Sequence, residues 1–264
     1  MSNRPAEASA GSSGGLQSVD RALSVLDLLA RLGESGASEL AGHLDVHKST
    51  VFRLLGALES HGLVEQPEGR GKYRLGFGVV RLAGAVSTRM ELTKLARPVT
   101  ERLADEIGET VNIAVLREHF AVNVDQALGP ASVAAQNWVG RMTPLHATSS
   151  GKVLLAHVDA GERQRLVEAS GLSEFTPETI TTAAALDVEL SRVLERGYAL
   201  SVGEYEEGLN AIAVPMRDAE GGVVAALSAS GPSYRFAAER MEQLSVIVIA
   251  AGAEASRRLG HIGS

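Results

Sequence analysis

The stretch "ASELAGHLDVHKSTVFRLLGALES", residues 37–60, carries two apolar stripes at helical spacing with only Asp45, Val46 and His47 between them. Leu40, Ala41 and Leu44 make the first stripe; Val51, Leu54, Leu55 and Leu58 make the second at i, i+3, i+4 and i+7. Two short helices joined by so brief a turn form a helix-turn-helix. Ser38 stands where the first of them needs an N-cap. Upstream, Val19, Ala22, Leu23, Leu26, Leu29 and Ala30 predict a helix over 18–32 that Gly33 stops. Downstream, "LVEQPEGRGKYRLG" reads as two short strands around a Pro/Gly-rich turn. Three helices and a hairpin with Arg70 and Lys72 near its tip make a winged helix-turn-helix.

The front of the second helix narrows its use. Capping needs one short hydroxyl residue, yet Lys48, Ser49, Thr50 and Arg53 all crowd the N-terminal end, mostly off the apolar stripe. A helix that enters the major groove needs cationic or hydrogen-bonding side chains there and an apolar rear. His47, Lys48, Ser49, Thr50 and Arg53 meet that requirement. Arg53 suits a bidentate grip on guanine. Lys48, Ser49 and Thr50 suit phosphates as well as bases, and Arg70 and Lys72 on the wing suit the adjacent backbone or minor groove. From His47 to Met90 there are seven lysines and arginines against three glutamates, a surplus of four in a chain of net charge −7. A basic module on an acidic body fits a protein that meets a polyanion with one part only. A helix-turn-helix used for protein contacts alone, with a solvated basic face, is the bland alternative.

The remaining sequence divides into a tail, a linker and a second domain. Residues 1–15 are rich in Ser, Ala and Gly and read as a disordered tail rather than a signal peptide. Residues 16–76 are the DNA-binding domain. Residues 77–91 are a linker helix, with Val79, Leu82, Ala83, Val86 and Met90 forming a stripe suited to a second copy. Residues 92–264 begin with a helix over 92–107. Strands then appear in "TVNIAVL", "FAVNVDQAL" and "SVAAQNWVG", and helices start near Ser149 and in "GERQRLVEAS" and "LDVELSRVLERG". "YALSV", "LNAIAVPM" and "VVAALSAS" bring strands back, with "DAEGG" as a hairpin turn, and a helix over 236–259 ends the chain. Consecutive strands split by a helical block predict an α+β, antiparallel-sheet sensor domain. No apolar run reaches membrane-span length, and without cysteine there are no disulfides or thiolate metal sites. A soluble cytoplasmic protein is the expectation.

Three polar clusters sit in apolar surroundings in this second domain. Thr148, Ser149 and Ser150 open a helix whose free N–H groups suit an anion. Ser228 and Ser230 are two apart on one strand and so share a face with Val224 and Ala226, and "LNAIAVP" is a neighbouring strand. Each serine alone reads as a local cap; together they make a polar lining in an apolar cup, the usual make-up of a small-molecule site. Trp138, the only tryptophan, lies near the helix-start loop and reads either as a cover for a ligand or as core.

The blocks "SVDRALSVLDLLA", "SELAGHLDVHKSTVFRLLGALESHGLV", "GKYRLG", "PLHATSSGKVLLA", "GYALSVGEYEEGLNAIAVP" and "LSASGP" occur in an order and spacing that resembles the IclR family of bacterial transcription regulators, over essentially all of the chain after the tail. The resemblance implies a winged helix-turn-helix, a linker helix and a GAF/profilin-like effector-binding domain. It also implies dimers or tetramers on a palindromic operator in double-stranded DNA, and repression tuned by a metabolite; activation of a catabolic operon is the other reading. For the effector site it implies Ser149, Ser150, Leu209, Ser228 and Ser230, with Ser201 where an aspartate is common and Ala211 where a cysteine is common. Those two departures point to a ligand larger or less acidic than glyoxylate or pyruvate, a small carboxylate or ureide. No cofactor is implied.

Rival chemistries find little support. Ser149 and Lys152 have a spacing used by some acyl-transferring hydrolases, but the partner motifs are absent. His146 and Val153 break a P-loop pattern. His43 and His47 flank a turn with no cysteine near, which speaks against zinc. Glu204, Glu206 and Glu207 read as a solvated acidic loop.

Overall fold

The computed structural model describes residues 12–67, 71–84, 87–131 and 137–262. The chain forms two compact units, Met1–Ser87 and Thr88–Ser264.

In the first unit, α1 (Ser12–Leu32), α2 (Ala37–Leu44) and α3 (Lys48–Ser60) enclose a core of Val25, Leu29, Leu40, Val51 and Leu55, all essentially inaccessible to solvent. In α2 and α3 these belong to the expected stripes; in α1 the buried face is Val25, Leu28 and Leu29, while Val19, Leu23 and Ala30 of the expected stripe are exposed. Gly33 ends α1 with φ +75° and donates its N–H to Leu29 O. Helix α1 starts earlier than residue 18 and takes in four residues of the expected tail, since each residue added to an existing helix gains a ladder bond. Ser38 is not a cap: α2 starts at Ala37 behind Gly36, and Ser35 instead donates its hydroxyl to Glu39 at 2.8 Å.

The wing has three strands rather than two. β1 (Glu34–Gly36) and β2 (Val64–Glu65) flank β3 (Lys72–Leu75), antiparallel on both sides. Three residues of Glu-Ser-Gly carry no alternation that would reveal β1; its pairing with β3 makes it a strand. Gly76 and Gly78 after β3 lie so close to Gly62 O that an added Cβ would sit 2.4 and 2.6 Å from it, which fixes the turn after the wing. Helix α4 (Phe77–Gly84) follows.

In the second unit the break expected between residues 91 and 92 is absent. Helix α5 runs unbroken over Ser87–Ile107, across Pro98, because Ala96, Val99, Leu103 and Ile107 continue one buried stripe. An antiparallel sheet of order β6-β5-β4-β9-β8-β7 comprises β4 (Thr110–Arg117), β5 (Phe120–Ala127), β6 (Met142–Pro144), β7 (Ala199–Val202), β8 (Leu209–Arg217) and β9 (Val223–Pro232). Residues 132–136 of the strand expected in "SVAAQNWVG" lie outside the described residues, and the chain turns through Val139 and Gly140 before β6.

The sheet is covered on both faces, which makes this an α+β fold with an antiparallel half-barrel. Val111, Ile113, Ile212, Val214, Leu227 and Ala229 pack with α5 and with α9 (Ala238–Arg258). The alternate residues Ala114, Ala213 and Ala226 pack with α6 (Ser149–Ala156), α7 (Ala160–Ser170) and α8 (Ala183–Arg196). Gly197, φ +81°, stops α8. Among the described residues no helix is long and apolar enough to cross a membrane.

Two features hold α6 in place. Gly151 lies so close to Leu145 that a Cβ there would come within 2.4 Å of Leu145 O. Lys152, 1% exposed, places Nζ 2.6 Å from the Glu204 carboxylate and donates to Leu200 O at 2.9 Å. Glu204 is therefore not part of a solvated loop, although Glu206 and Glu207 are exposed. Thr176 and Thr179 donate their hydroxyls to Gly203 O at 2.7 Å and Glu204 O at 2.6 Å, fastening the same loop from the other side. Burial pushes the Glu204 carboxyl above the usual range against the opposing pull of Lys152.

Two outcomes follow for stability, both read by urea unfolding. Gly151→Ala destabilises the second unit by about 1–3 kcal/mol, because the added methyl meets main chain rather than a movable side chain. Lys152→Met costs about 3–5 kcal/mol by stranding a buried carboxylate, and adding Glu204→Gln recovers much of that loss.

Candidate nucleic-acid interface and effector cavity

In the first unit α3 presents its N-terminal turn to solvent. His47, Lys48, Ser49 and Arg53 are exposed and Thr50 is partly buried. His47 holds the N-cap position with extended backbone and no side-chain cap bond, so none of the nearby hydroxyls caps the helix. Thr50 N–H and Val51 N–H both reach His47 O, while the first N–H groups, those of Lys48 and Ser49, fall outside the ladder. Lys48 Nζ lies 5.6 Å from the ring of Phe52, itself 48% exposed, so an aromatic surface backs the cation. Arg53 forms no ion pair among the described residues, whereas Arg74 on the wing is tied to Glu65 at 2.7 Å. Lys72 is exposed at the start of β3. Arg70 lies outside the described residues.

In the second unit a cavity opens between the α6 start and the sheet. All seven residues singled out there, Ser149, Ser150, Ser201, Leu209, Ala211, Ser228 and Ser230, line it. Register explains the meeting: Ser201 pairs with Ala211, Ala211 with Ser230, and Ser230 with Thr110, so one row of the sheet crosses the cavity floor. Ser228 pairs with Ala213 and Asn112 one step along.

Thr148 caps α6 by accepting from Gly151 N–H at 3.2 Å, and its own hydroxyl donates to Pro144 O at 2.8 Å. Ser201 donates its hydroxyl to Ala147 O at 2.9 Å, which ties β7 to the loop before α6. Ser149 Oγ has no hydrogen bond to Lys152, whose ammonium is engaged by Glu204 and Leu200 O.

Six further residues complete the described lining: Asn112, Asn123, Thr143, Thr148, Trp138 and Tyr205. Asn112 and Asn123 occupy the polar phase of β4 and β5, which reads as solvent-facing until the sheet is seen to be covered on both sides. Trp138 is half-buried at the rim, 6.4 Å from Tyr205 between ring centres. Tyr205 meets Phe175 edge-on at 5.2 Å, and Phe175 lies 5.8 Å from His146. The Arg141 guanidinium stacks 5.2 Å from the Trp138 ring. His146 is buried and donates Nε2–H to Ser173 O at 3.0 Å; burial holds it below the usual histidine range, so it stays neutral at pH 7.

None of the described lining residues is charged. An anion here would meet helix N–H groups and hydroxyls rather than a counter-ion. Among the described residues no three of His, Asp and Glu come together as metal ligands.

Comparison with known proteins agrees with both halves. The IclR helix-turn-helix domain matches residues 18–68, and the bacterial transcriptional regulator IclR C-terminal model matches residues 84–257. The HTH-type transcriptional regulator BhcR of Paracoccus denitrificans is 35% identical over 244 residues, 92% of this chain and 88% of that protein. The HTH-type transcriptional repressor AllR of Salmonella typhi is 34% identical over 258 residues, 97% and 95% of the two chains. An IclR homolog from Microbacterium hydrocarbonoxydans, solved in complex with 4-hydroxybenzoate, has a TM-score of 0.77 at 29% identity, covering 92% of this chain and 98% of its own. With an exposed cationic helix in one unit, an uncharged cavity in the other and family matches across both, the chain belongs to the IclR family of bacterial transcriptional regulators.

Proposed function

We propose that this DNA-binding regulator is a cytoplasmic repressor whose hold on a palindromic operator is set by a small carboxylate or ureide in the cavity of the second unit. The observation that carries the reading is the convergence of Ser149, Ser150, Ser201, Leu209, Ala211, Ser228 and Ser230, drawn from four separate elements, on one uncharged cavity. The relative solved with 4-hydroxybenzoate supports a carboxylate as the ligand class, and the relatives named as repressors support the direction of control.

On the DNA side, His47, Lys48, Ser49, Thr50 and Arg53 enter the major groove, and Lys72, with Arg70 beside it, follows the backbone or minor groove from the wing. Self-association as a dimer, or a tetramer of two dimers, sets paired recognition helices about 34 Å apart or a multiple of it, which is why the operator is palindromic. A role as activator would use the same contacts with opposite consequence at the promoter. Catalysis is disfavoured by Lys152: an ammonium held between a buried carboxylate and a main-chain carbonyl is a poor base for Ser149.

Two measurements test this. Footprinting upstream of the gene, with and without candidate metabolites, locates the operator, and Arg53→Ala then weakens binding to it by about 1–3 kcal/mol. Unchanged operator affinity in that variant removes Arg53 from the reading head. By calorimetry, Ser149→Ala/Ser228→Ala loses affinity for the effector about tenfold or more; wild-type affinity places the effector elsewhere.

A further inference from the structure

We infer that Phe52 is a sequence-reading residue, whose ring meets the C5-methyl group of a thymine in each half-site of the operator. The inference rests on α3 entering the major groove, as proposed above, and goes beyond it in naming the base that an uncharged side chain selects.

Phe52 is out of place for a residue that serves only the fold. It takes no part in the core of its unit, to which α3 contributes Val51, Leu55 and Leu58, and it is 48% exposed. Successive residues of an α-helix lie about 100° apart around its axis, so Phe52, Gly56, Ser49 and Arg53 share one arc of about 100° turned away from that core. Each of them is exposed. Lys48, one turn before Phe52, places Nζ 5.6 Å from the ring centre. The apolar ring therefore stands inside the cationic front of the helix.

Gly56 supports the same reading. A glycine in the middle of a helix is unfavourable relative to alanine. Nothing lies within 4 Å of where its Cβ would be, so no described neighbour requires its bare backbone. It sits one turn beyond Phe52 on the same arc, where the missing side chain lets a body outside the chain come close to the ring. Charge selects that body. Seven lysines and arginines face three glutamates between His47 and Met90, and the N–H groups of Lys48 and Ser49 fall outside the helix ladder, which favours a polyanion over an apolar protein face.

The chemistry of the groove then fixes the contact. A phenyl ring has no hydrogen-bonding group, and the base edges in the major groove are donors and acceptors except for the thymine methyl. Pressed against any other edge, Phe52 would strip water from a polar atom and replace it with nothing. Against a methyl it withdraws two apolar surfaces from water together. Ser49 and Arg53 supply the hydrogen-bonding groups for polar edges on the same arc, so the thymine lies next to the base pair that Arg53 reads.

Exchanging dT for dU deletes that methyl and nothing else, which makes the test direct. Each dT within the footprinted half-sites is replaced in turn by dU, symmetrically in both halves, and binding of the full-length protein is followed by fluorescence anisotropy at fixed salt. At one position the exchange is expected to weaken wild-type binding about fourfold per half-site, as one buried methyl should. Phe52→Ala is expected to bind the dT and dU operators within about twofold of each other, while thermal unfolding reports whether the variant is folded. Phe52→Gln, which ends in a polar group, supplies the second reading and loses the difference as well. A dT/dU difference that survives in either folded variant overturns the inference. So does a loss in Phe52→Ala that is equal on the two operators, or a footprint whose half-sites hold no dT. If no exchange matters in the wild type while Arg53→Ala still weakens binding, the thymine contact falls and the reading head stands. If neither Arg53→Ala nor Phe52→Ala changes operator affinity, both fall together.

Discussion

A lysine and a glutamate withdrawn from water hold the sensing half in shape. Removing two charges from solvent is unfavourable unless geometry and further hydrogen bonds compensate, and Lys152 with Glu204 shows both, with Leu200 O on one partner and anchoring threonines beside the other. Lys152 sits on the same short helix as Ser149 and Ser150; Glu204 precedes Tyr205 in the β7–β8 loop. The pair therefore joins the hydroxyl-lined end of the cavity to its aromatic rim. Chain segments about fifty residues apart in sequence are held by one charge contact, and Ser201, donating to Ala147 O, repeats the link with a neutral bond.

The sheet imposes the second constraint. Because helices pack on both faces, a polar residue on either face must find a partner or line a space. Ala114, Ala213 and Ala226 fill one stretch of the α6-side face, and small side chains there let the helix approach closely. Further along, Asn112, Ser228 and Ser230 take over, the packing stops, and the cavity begins. The polarity of a few strand positions thus sets where the core ends and the cavity starts.

Much of this was legible in the sequence, for identifiable reasons. The stripes of α2 and α3, the turn between them and the cationic front of α3 follow helical periodicity, which survives any tertiary context. Serines two apart on β9 and a hydroxyl cluster at the start of α6 were readable as the lining of one cavity because both patterns fix direction as well as identity. Asn112 and Asn123 were hidden by the rule that exposes them, since alternation on a strand marks a polar residue as outward-facing and cannot tell solvent from a covered cavity. Glu204 was misread because three acids within four residues look solvated, and only the fold delivers Lys152 to one of them. β1 has no signal of its own; pairing with β3 creates it.

The aromatic row at the rim has a practical consequence. Trp138 is the chain's single indole and it stands at the cavity mouth, between the Arg141 guanidinium and the Tyr205 ring. Its emission therefore arises from one place, and that place changes polarity when water in the cavity gives way to a bound molecule. The protein carries an intrinsic optical gauge of occupancy, free of any background from a second indole and needing no attached dye.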